Sequence, residues 1–530
     1  MTRNDARGQA VALDIGTSGI RGQLLDIDSG KVVRTRILSK NPLPGSNVMD
    51  HLTFAINYGG ELARDVLLSA VKDVITRLAP DNLKRISVCG NPIQLSLFEG
   101  IEIRDLAYAG ENKLQSENIL PVDRKGHIIS GDIIGLAHDI DIIIPPAVRH
   151  EIGADALAMM LKSGFLDDDM CMVTDYGTNA EMALKVGDKV YTGSAAAGPA
   201  LEGQQITSGM LAGPGAVSDM EKTPSGWITK VLDDRLMAQD GPILNIRNNM
   251  LRKNGLVPSG ITGTGVIALI HAGMTDDCME PPKIRTGHIN LGRSISFSEN
   301  DLKEAGKAIG AIRAGQMTLI NEAGVDFKDI STMYMAGATG TYVDALKAKK
   351  VGIVPAGASR IIQVGNTSLE LAKDVARRPE MIDDLNTIRK DLLERHTMFA
   401  SSPVFSSLYV MELAYWTEGM PLDMYRIRLS SMGLDGYLDA DMDAVVEKRS
   451  VTDISDIGES LEIAEPSVTL SASWKCGRCM KCVKACPEKA LTFEDPVFKI
   501  NAARCLGSAC YRCEEACPTG IFSQTAFRLS

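Results

Sequence analysis

Eight cysteines near the C-terminal end of the 530-residue sequence are the residues whose types and spacing most directly indicate chemistry. The first four have the spacing C-x2-C-x2-C-x3-C-P and are Cys476, Cys479, Cys482 and Cys486. The second four, in which four residues rather than two separate the first pair, are Cys505, Cys510, Cys513 and Cys517. The first spacing is typical of three thiolates around one iron–sulfur cubane and a fourth directed to a neighbouring cluster.

The two runs together predict two [4Fe–4S] clusters with crossed ligation. One cluster is predicted to bind Cys476, Cys479, Cys482 and Cys517. The other is predicted to bind Cys505, Cys510, Cys513 and Cys486. Structural zinc and disulfides are the alternatives, but zinc sites usually separate two cysteine pairs, and disulfides belong to small exported domains. The tail is therefore predicted to transfer single electrons.

Four basic residues lie next to the cysteines of the first run and are Lys475, Arg478, Lys481 and Lys484. One interpretation is that they attract an acidic electron donor or acceptor protein. The other interpretation is an ordinary solvated face that also raises the potential of the cluster. The sequence leaves both open.

Two similar turns, each beginning with an aspartate after an apolar stretch, indicate a nucleotide triphosphate site. Their predicted residues are Asp14, Gly16, Thr17, Ser18 and Gly19 in one turn, and Asp175, Gly177, Thr178 and Asn179 in the other. Small residues let backbone N–H groups approach phosphate oxygens closely. We predict that Asp14 and Asp175 are the catalytic carboxylates, each able to hold a hydrated Mg²⁺. Purely structural hairpin turns are the alternative.

A third motif follows a predicted buried strand at 330–335. It supplies four predicted nucleotide contacts, Gly337, Ala338, Thr339 and Gly340. The sequence contains no G-x-x-x-x-G-K-[ST], which excludes a P-loop. The glycines between 260 and 265 lack the dinucleotide fingerprint and are interpreted as the entry to a helix.

The elements that must position these residues repeat along the chain. An apolar strand, the aspartate turn and two further strands begin at Gln9, and the same module returns 161 positions later. Such a repeat predicts two similar lobes. We expect an ATPase domain over 1–438, with lobes of about 1–165 and 166–438. An acidic linker is predicted over 439–473 and a cluster domain over 474–530.

Local patterns predict several further elements. Apolar residues at helical spacing predict a helix over 61–78, and the residues 153–155 are predicted to open another helix that runs to Leu161. Ser298 and Asp301 are typical of a capping box ahead of a long helix. A helix is also predicted from Tyr342 to Lys349, and a short hairpin from strands at 490–493 and 497–500.

Composition narrows the possible functions. The net charge is −11, which disfavours nonspecific nucleic-acid binding, and 45% hydrophobic residues are typical of globular domains. The sequence shows neither an apolar stretch of about 20 residues nor the apolar core of a signal peptide near its start. We therefore expect a cytoplasmic protein with no membrane or nucleic-acid partner.

The three nucleotide motifs resemble those of the actin, sugar-kinase and heat-shock-chaperone ATPase superfamily. Within it, four further segments resemble the reductive activators of corrinoid proteins: Gly90-Asn91, 198–203, 263–265 and 365–370. The double-cluster tail placed last resembles the methanogen members that serve methylamine methyltransferases. Two features depart from relatives: the pair Gly337-Ala338, often Gly-Gly elsewhere, and the lack of an N-terminal [2Fe–2S] module.

The resemblance implies an α/β protein, namely a two-lobed ATPase with RNase H-like repeats followed by a small α+β ferredoxin-like domain. It implies ATP-dependent reduction of corrinoid Co(II) to Co(I), with ATP, Mg²⁺ and two [4Fe–4S] clusters as cofactors. The implied partners are a corrinoid protein of a methyltransferase system and a low-potential electron donor. The alternatives are an ATP-driven donor to another enzyme, such as a 2-hydroxyacyl-CoA dehydratase, a small-molecule kinase with an electron-transfer appendage, and a nucleotide-gated redox sensor.

Overall fold

The structure, a computed structural model, describes residues 8–45, 47–107, 111–148, 152–440, 442–449 and 454–530. These form two compact units, each built from separate stretches of chain. The first unit takes the described residues within Met1–Ala158, Ser368–Leu393 and Asp456–Ser530. The second takes those within Met159–Thr367 and Glu394–Ser455. None of the described helices is at once long and apolar enough to cross a membrane.

The first unit is organised on a mixed sheet in which seven of the described strands take part. In their order across the sheet they are Ser460–Ala464, Val32–Leu38, Ile20–Asp26, Gln9–Ile15, Leu83–Gly90, Asp141–Ile144 and His127–Ser130. The strands Gln9–Ile15, Ile20–Asp26 and Val32–Leu38 are joined by antiparallel pairing, as the sequence predicts. Leu83–Gly90 then pairs in parallel with Gln9–Ile15.

Helices surround this sheet, and their bounds are Val48–Tyr58, Gly60–Leu78, Pro92–Glu99, Arg104–Ala107, Glu111–Ser116, Thr367–Arg377 and Met381–Leu393. Ala154–Lys162 crosses the division between the units. Gly60–Leu78 matches the helix predicted from apolar spacing, and it ends where Ala79 takes a left-handed conformation before Pro80. Its apolar residues at helical spacing are buried, including Leu62, Val66 and Val74.

The second unit repeats the same sheet plan. Its main sheet has the order Lys189–Ala196, Asn179–Val186, Met170–Asp175, Thr332–Ala336, Arg360–Gln363 and Val445–Lys448. The first three strands again pair antiparallel, and Thr332–Ala336 lies parallel to Met170–Asp175. The repeat predicted from the two aspartate turns is therefore confirmed, as is the mixed α/β class.

A second sheet in this unit consists of Met250–Arg252, Ala238–Asn245, Gly226–Leu232, Ala216–Thr223 and Gly260–Ile261. Two short ribbons pair Met279–Glu280 with Lys283–Ile284 and His288–Asn290 with Ser296–Ser298. The helices are Gly263–Thr275, Glu299–Ala323, Gly337–Tyr342, Ala345–Val351, Pro403–Trp416 and Leu422–Ser431.

Two helix predictions in this unit have different outcomes. The predicted capping box is confirmed, because Ser298 and Asp301 exchange side-chain and backbone hydrogen bonds at the start of Glu299–Ala323. The single helix predicted from Tyr342 to Lys349 is wrong. The chain instead forms two short helices that break at Val343, because Asp344 caps a new helix by accepting from two backbone N–H groups.

The C-terminal part of the first unit forms its own small sheet from Leu491–Glu494, Val497–Asn501, Thr469–Ala472 and Arg528–Leu529. The first two strands are the predicted hairpin. Short helices at Lys481–Ala485 and Arg512–Glu515 follow the early cysteines of each run. Trp474 packs against Phe498, Phe522 and Phe527, which gives this small domain an aromatic core.

The segment 439–473, predicted as an acidic linker, contains three strands that enter three different sheets. Val445–Lys448 joins the main sheet of the second unit, and Ser460–Ala464 joins that of the first. Thr469–Ala472 belongs to the cluster domain. The chain divisions also differ from the predicted lobes, since Ser368–Leu393 and the whole cluster domain are part of the first unit.

The acidic character of this segment has a physical reason in the structure. Ser460–Ala464 lies beside Val32–Leu38, whose neighbourhood is basic. Glu462 of this strand and the flanking carboxylates form the ion pairs Lys31–Glu459, Arg36–Glu462 and Lys40–Glu465. Arg36 is 5% exposed and also contacts Asp73 at 2.5 Å. The acidic stretch that the sequence predicts to be a linker therefore contains a strand, and its carboxylates complement the positive charge at this edge of the sheet.

Candidate nucleotide and cluster sites

The first aspartate turn is held in shape by its own backbone. The Gly16 N–H donates to the Gly19 carbonyl oxygen at 2.9 Å. Asp14 is 5% exposed, and its Oδ2 lies 3.7 Å from Arg21 Nη1. Gly19 is required here because a Cβ would lie 2.4 Å from the Leu38 carbonyl oxygen. Thr17 is half-buried and Ser18 exposed, so the tip of the turn faces outward.

Two asparagines brace this turn from neighbouring elements. Asn41 donates through Nδ2 to the Gly16 carbonyl oxygen at 2.9 Å. Asn91 donates to Thr17 Oγ1 at 3.2 Å, while its own Oδ1 caps the helix Pro92–Glu99. The Gly90-Asn91 pair singled out in the sequence thus positions the turn, and Asn41 is a positioning residue for which the sequence offers no motif.

Asp155 is a further residue of this site that sequence reasoning missed. It lies in the first turn of the helix Ala154–Lys162, where it accepts from the Ala156 N–H at 2.8 Å. Burial and the nearby negative charge of Asp14 raise the pKa of Asp155 to about 6. Two carboxylates kept this close, at a cost to the charged form, are typical of functional sites. In the sequence Asp155 appeared only as a helix start.

The second aspartate turn depends on a glutamate outside the turn. The Thr178 N–H and Oγ1 both donate to Glu202 Oε1, at 2.7 and 2.9 Å. Gly198 donates its N–H to the Thr178 carbonyl oxygen at 2.8 Å. The sequence predicts Thr178 as a phosphate contact, and the structure directs both of its donors to Glu202. The segment 198–203, noted only for its resemblance, is the signal that could have identified Glu202.

The third motif lies directly beside the second turn, because Ala336 is paired with Asp175 across parallel strands. Gly337 has φ +75°, and a Cβ there would lie 2.1 Å from Asp175 Oδ1. Thr339 donates through Oγ1 to the Leu201 carbonyl oxygen at 3.1 Å. Ala338 is exposed. Gly340 is buried, and a Cβ at this position would be in tight contact with the Tyr176 ring. Asn179 begins the following strand and is half-buried.

The first predicted cysteine set surrounds one cavity. Its volume is about 100 Å³, and its lining includes Cys476, Cys479, Cys482 and Cys517 together with Trp474, Phe498 and Phe522. Hydrogen bonding by the Phe522 backbone lowers the pKa of Cys517 to about 7, which favours the thiolate that binds iron. Four thiols around one apolar space fit the donor set of a cubane. Cys479 is exposed, so this site opens to the surface.

The second predicted set is more enclosed. Burial raises the pKa of Cys505 to about 12, with further contributions from the nearby Cys513, Cys486 and Cys510. Such a buried thiol becomes a thiolate when a metal replaces its proton. Gln524 donates through Nε2 to Cys513 Sγ at 3.0 Å, and the Gly507 N–H donates to Cys505 Sγ at 3.4 Å. Within the described ranges, no three His, Cys, Asp or Glu residues converge on a point that a single metal ion could occupy.

Comparison with known protein families divides the chain into three matched regions. Residues 9–168 match the middle region of RACo, and residues 169–426 match the C-terminal domain of RACo, the ASKHA domain. Residues 475–521 match a 4Fe-4S dicluster domain. The fold and the two sites thus define an iron–sulfur ATPase of the actin and sugar-kinase class.

Individual relatives narrow this class. The chain is 44% identical to the [Co(II) methylated amine-specific corrinoid protein] reductase of Methanosarcina barkeri, over 94% of this chain and 95% of that protein. It is 25% identical to the corrinoid activation enzyme RamQ of Eubacterium limosum, over 76% and 70% of the two chains. The chain belongs to the family of reductive activators of corrinoid proteins, which confirms the resemblance seen in the sequence.

A solved structure agrees in fold. The reductive activator for corrinoid, iron-sulfur protein superposes with a TM-score of 0.61 at 22% identity. The match covers 79% of this chain and 68% of that one. The predicted fold class, an ASKHA-type ATPase followed by a ferredoxin-like cluster domain, is therefore confirmed.

Proposed function

We propose that this protein uses ATP hydrolysis to reduce the cobalt of a methylamine-pathway corrinoid protein from Co(II) to Co(I). One electron passes from a low-potential donor to the cobalt, while ATP and water give ADP and phosphate. The observation that carries this proposal is the union of an ATP-type phosphate turn, Asp14–Gly19, and both cysteine sets within one compact unit. In this proposal, that unit links nucleotide binding to electron transfer.

In this proposal the two aspartate turns bind the phosphates of ATP through their small residues. The carboxylates of Asp14 and Asp175 would each be able to hold a hydrated Mg²⁺, since this ion prefers one or two carboxylates together with phosphate and water. A cation at Asp14 also relieves the repulsion that raises the pKa of Asp155. The motif Gly337–Gly340 supports the adenosine.

The eight tail cysteines hold two [4Fe–4S] clusters in the crossed arrangement, with Cys517 and Cys486 exchanged between the two runs. When bound, such clusters supply one-electron transfer at low potential. The protein contributes an apolar aromatic wall at the first set and hydrogen bonds to sulfur at the second. Both features belong to the factors that tune cluster potentials.

A nucleotide-dependent change in partner binding can supply enough free energy to shift the cobalt potential. For one electron, about 59 mV corresponds to about 1.4 kcal/mol. A difference of about 5.5 kcal/mol in partner binding inverts a two-state population. Spent on the corrinoid protein, that difference shifts the apparent cobalt potential by roughly 230 mV. ATP-dependent partner binding can therefore make an uphill electron transfer proceed.

The face around the first cysteine set suits the electron donor. Lys475, Lys481 and Lys484 are exposed there, and Arg478 is paired with Asp495 at 2.7 Å. This local positive charge stands out in a chain of net charge −11. We propose that an acidic donor protein docks on this face, since complementary charge accelerates association at low salt.

The decisive test mixes the anaerobically reconstituted protein with titanium(III) citrate, Mg²⁺-ATP and a Co(II) methylamine corrinoid protein. We expect the Co(I) absorbance to appear only with hydrolysable ATP, and about eight iron atoms per chain. Asp175→Asn serves as the nucleotide-site variant, and a non-hydrolysable analogue as the ligand control. Equal Co(I) formation without nucleotide would contradict the proposal. Electron delivery to a 2-hydroxyacyl-CoA dehydratase instead of the corrinoid protein would favour the alternative.

A further inference from the structure

One short loop, residues 41–45, contacts both the first aspartate turn and the second cysteine set. At its start, Asn41 donates to the Gly16 carbonyl oxygen at 2.9 Å and accepts from the Leu43 N–H at 3.0 Å. At its end, the Gly45 N–H donates to the Cys505 carbonyl oxygen at 2.9 Å. Asn41 is 6% exposed, so few solvent contacts compete with these bonds. Three residues thus separate Asn41, which contacts the predicted phosphate turn, from Gly45, which bonds to the backbone of a predicted cluster ligand.

A second chain of contacts runs parallel to the loop. Asn91, which contacts Thr17, opens the helix Pro92–Glu99. On that helix, Gln94 Nε2 lies 2.8 Å from Nδ1 of the fully buried His51. Burial lowers the pKa of His51 to about 4, so its ring is neutral and accepts this hydrogen bond.

His51 lies in the helix Val48–Tyr58, whose last residue reaches the cluster domain. Tyr58 donates its hydroxyl to Gln524 Oε1 at 2.9 Å. Gln524 in turn donates through Nε2 to Cys513 Sγ at 3.0 Å. Both routes start at the first phosphate turn and end at the second cysteine set. All of these residues lie within the first compact unit.

From this arrangement we infer that the segments 41–45 and 47–58 couple the nucleotide state of the Asp14–Gly19 turn to the second cluster site, with Asn41 as the positioning residue. The inference rests on the proposed function, because it assumes ATP at the turn and a cluster at Cys486, Cys505, Cys510 and Cys513. A phosphate that shifts Gly16 moves Asn41, and with it the backbone that bonds to Cys505.

Thermodynamic linkage makes this coupling measurable in both directions. If nucleotide binding changes the reduction equilibrium of the second cluster, then reduction changes nucleotide affinity by the same factor. Coupling between sites is typically about 5- to 150-fold. A fivefold change corresponds to a shift of roughly 40 mV in a one-electron midpoint potential, since tenfold is about 59 mV.

The experiment measures the dissociation constant of a labelled non-hydrolysable ATP analogue for the oxidised and the dithionite-reduced protein. We expect a ratio of at least about fivefold in the wild type, a smaller ratio in Asn41→Ala, which loses one of the two routes, and the matching midpoint shift by EPR-monitored titration. Asn386→Ala is the matched control. Asn386 makes a similar pair of bonds to the Gly126 backbone in the same unit and touches neither site, so this variant keeps the wild-type ratio.

A second variant covers the case in which Asn41→Ala does not fold. Tyr58→Phe removes only the hydroxyl that reaches Gln524, and we expect it to lower the ratio while leaving iron content unchanged. A wild-type ratio of one, or an unchanged ratio in the folded variant, would overturn the inference. If ATP-dependent Co(I) formation persisted in that protein, the proposed function would still stand, so the two failures are distinguishable.

Discussion

Gly337→Ala is the substitution whose effect the structure predicts most directly. Gly337 has φ +75°, a conformation that an alanine adopts at a cost of roughly 1–2 kcal/mol. The new methyl group would lie 2.1 Å from Asp175 Oδ1 and 3.0 Å from its Cγ. Forcing an additional methyl into a packed position costs about 1–3 kcal/mol. We therefore expect a total cost of about 2–5 kcal/mol, divided between a lower free energy of unfolding and weaker nucleotide binding.

The two parts separate experimentally. Each 1.4 kcal/mol lost from binding weakens nucleotide affinity about tenfold, which isothermal titration calorimetry resolves. Urea denaturation of the nucleotide-free protein measures the remainder as a lower unfolding midpoint. Because Asp175 ends a paired central strand, the clash moves a predicted catalytic carboxylate as well as the adenosine motif. ATP hydrolysis should fall at least as far as affinity.

The neighbouring Ala338→Gly supplies the matched control. Ala338 is exposed, so removing its methyl group relieves no clash and opens no cavity. The expected loss is about 0.5–1 kcal/mol of helix stability, with nucleotide affinity within about threefold of wild type. If Gly337→Ala bound ATP as tightly as this control and unfolded at the same urea concentration, the assigned geometry of the motif would be refuted.

Three further predictions follow from the sites. Asp155→Asn should stabilise the protein at pH 7.5 by up to about 3 kcal/mol, measured by urea titration. The folded protein raises the pKa of Asp155 to about 6, whereas the pKa of an aspartate in the unfolded chain is near 4. The charged carboxylate therefore destabilises the folded state as the pH rises above about 4, and the amide removes this cost. The gain should shrink by about half at pH 5, where the native carboxyl is mostly protonated; a pH-independent gain would contradict this cause. Gln524→Leu should lower the midpoint potential of the second cluster by about 40 mV, since one hydrogen bond to Cys513 is worth about 1 kcal/mol. EPR titration measures this shift, with the unchanged first cluster as internal standard. Arg36→Met should increase cleavage by the glutamate-specific protease Glu-C after Glu459 and Glu462 about tenfold, and an unchanged cleavage rate would show that the ion pair between Arg36 and Glu462 does not retain the strand 460–464.

The parts of the fold that depend on local chemistry could be predicted from the sequence. The aspartate turns, the repeat and the capping box at Ser298 each follow from short patterns of size and polarity. Cysteine spacing likewise predicts which thiols face one cavity, because a few residues of loop fix their reach. The ligand assignment itself stays a prediction, as do the individual nucleotide contacts.

Features that depend on distant pairing could not be predicted. The strand Ser460–Ala464 has its partner more than 400 residues earlier, and the acidic residues in and around it are typical of a linker. Asp155 and Asn41 become site residues only when tertiary packing brings them to the first turn. The same holds for Glu202, which lies on a separate loop and accepts hydrogen bonds from both the N–H and the hydroxyl of Thr178.

The strand at 460–464 limits the positions at which this protein can be divided into separately expressed fragments. An ATPase fragment ending before residue 456 would expose the edge of Val32–Leu38, whose unpaired N–H and C=O groups can recruit a strand from another molecule. Such a fragment should self-associate during purification. A tail fragment beginning at residue 474 would lack Thr469–Ala472, which pairs with both Val497–Asn501 and Arg528–Leu529. Modular redesign should therefore treat residues 456–473 as shared by both halves rather than as a spacer.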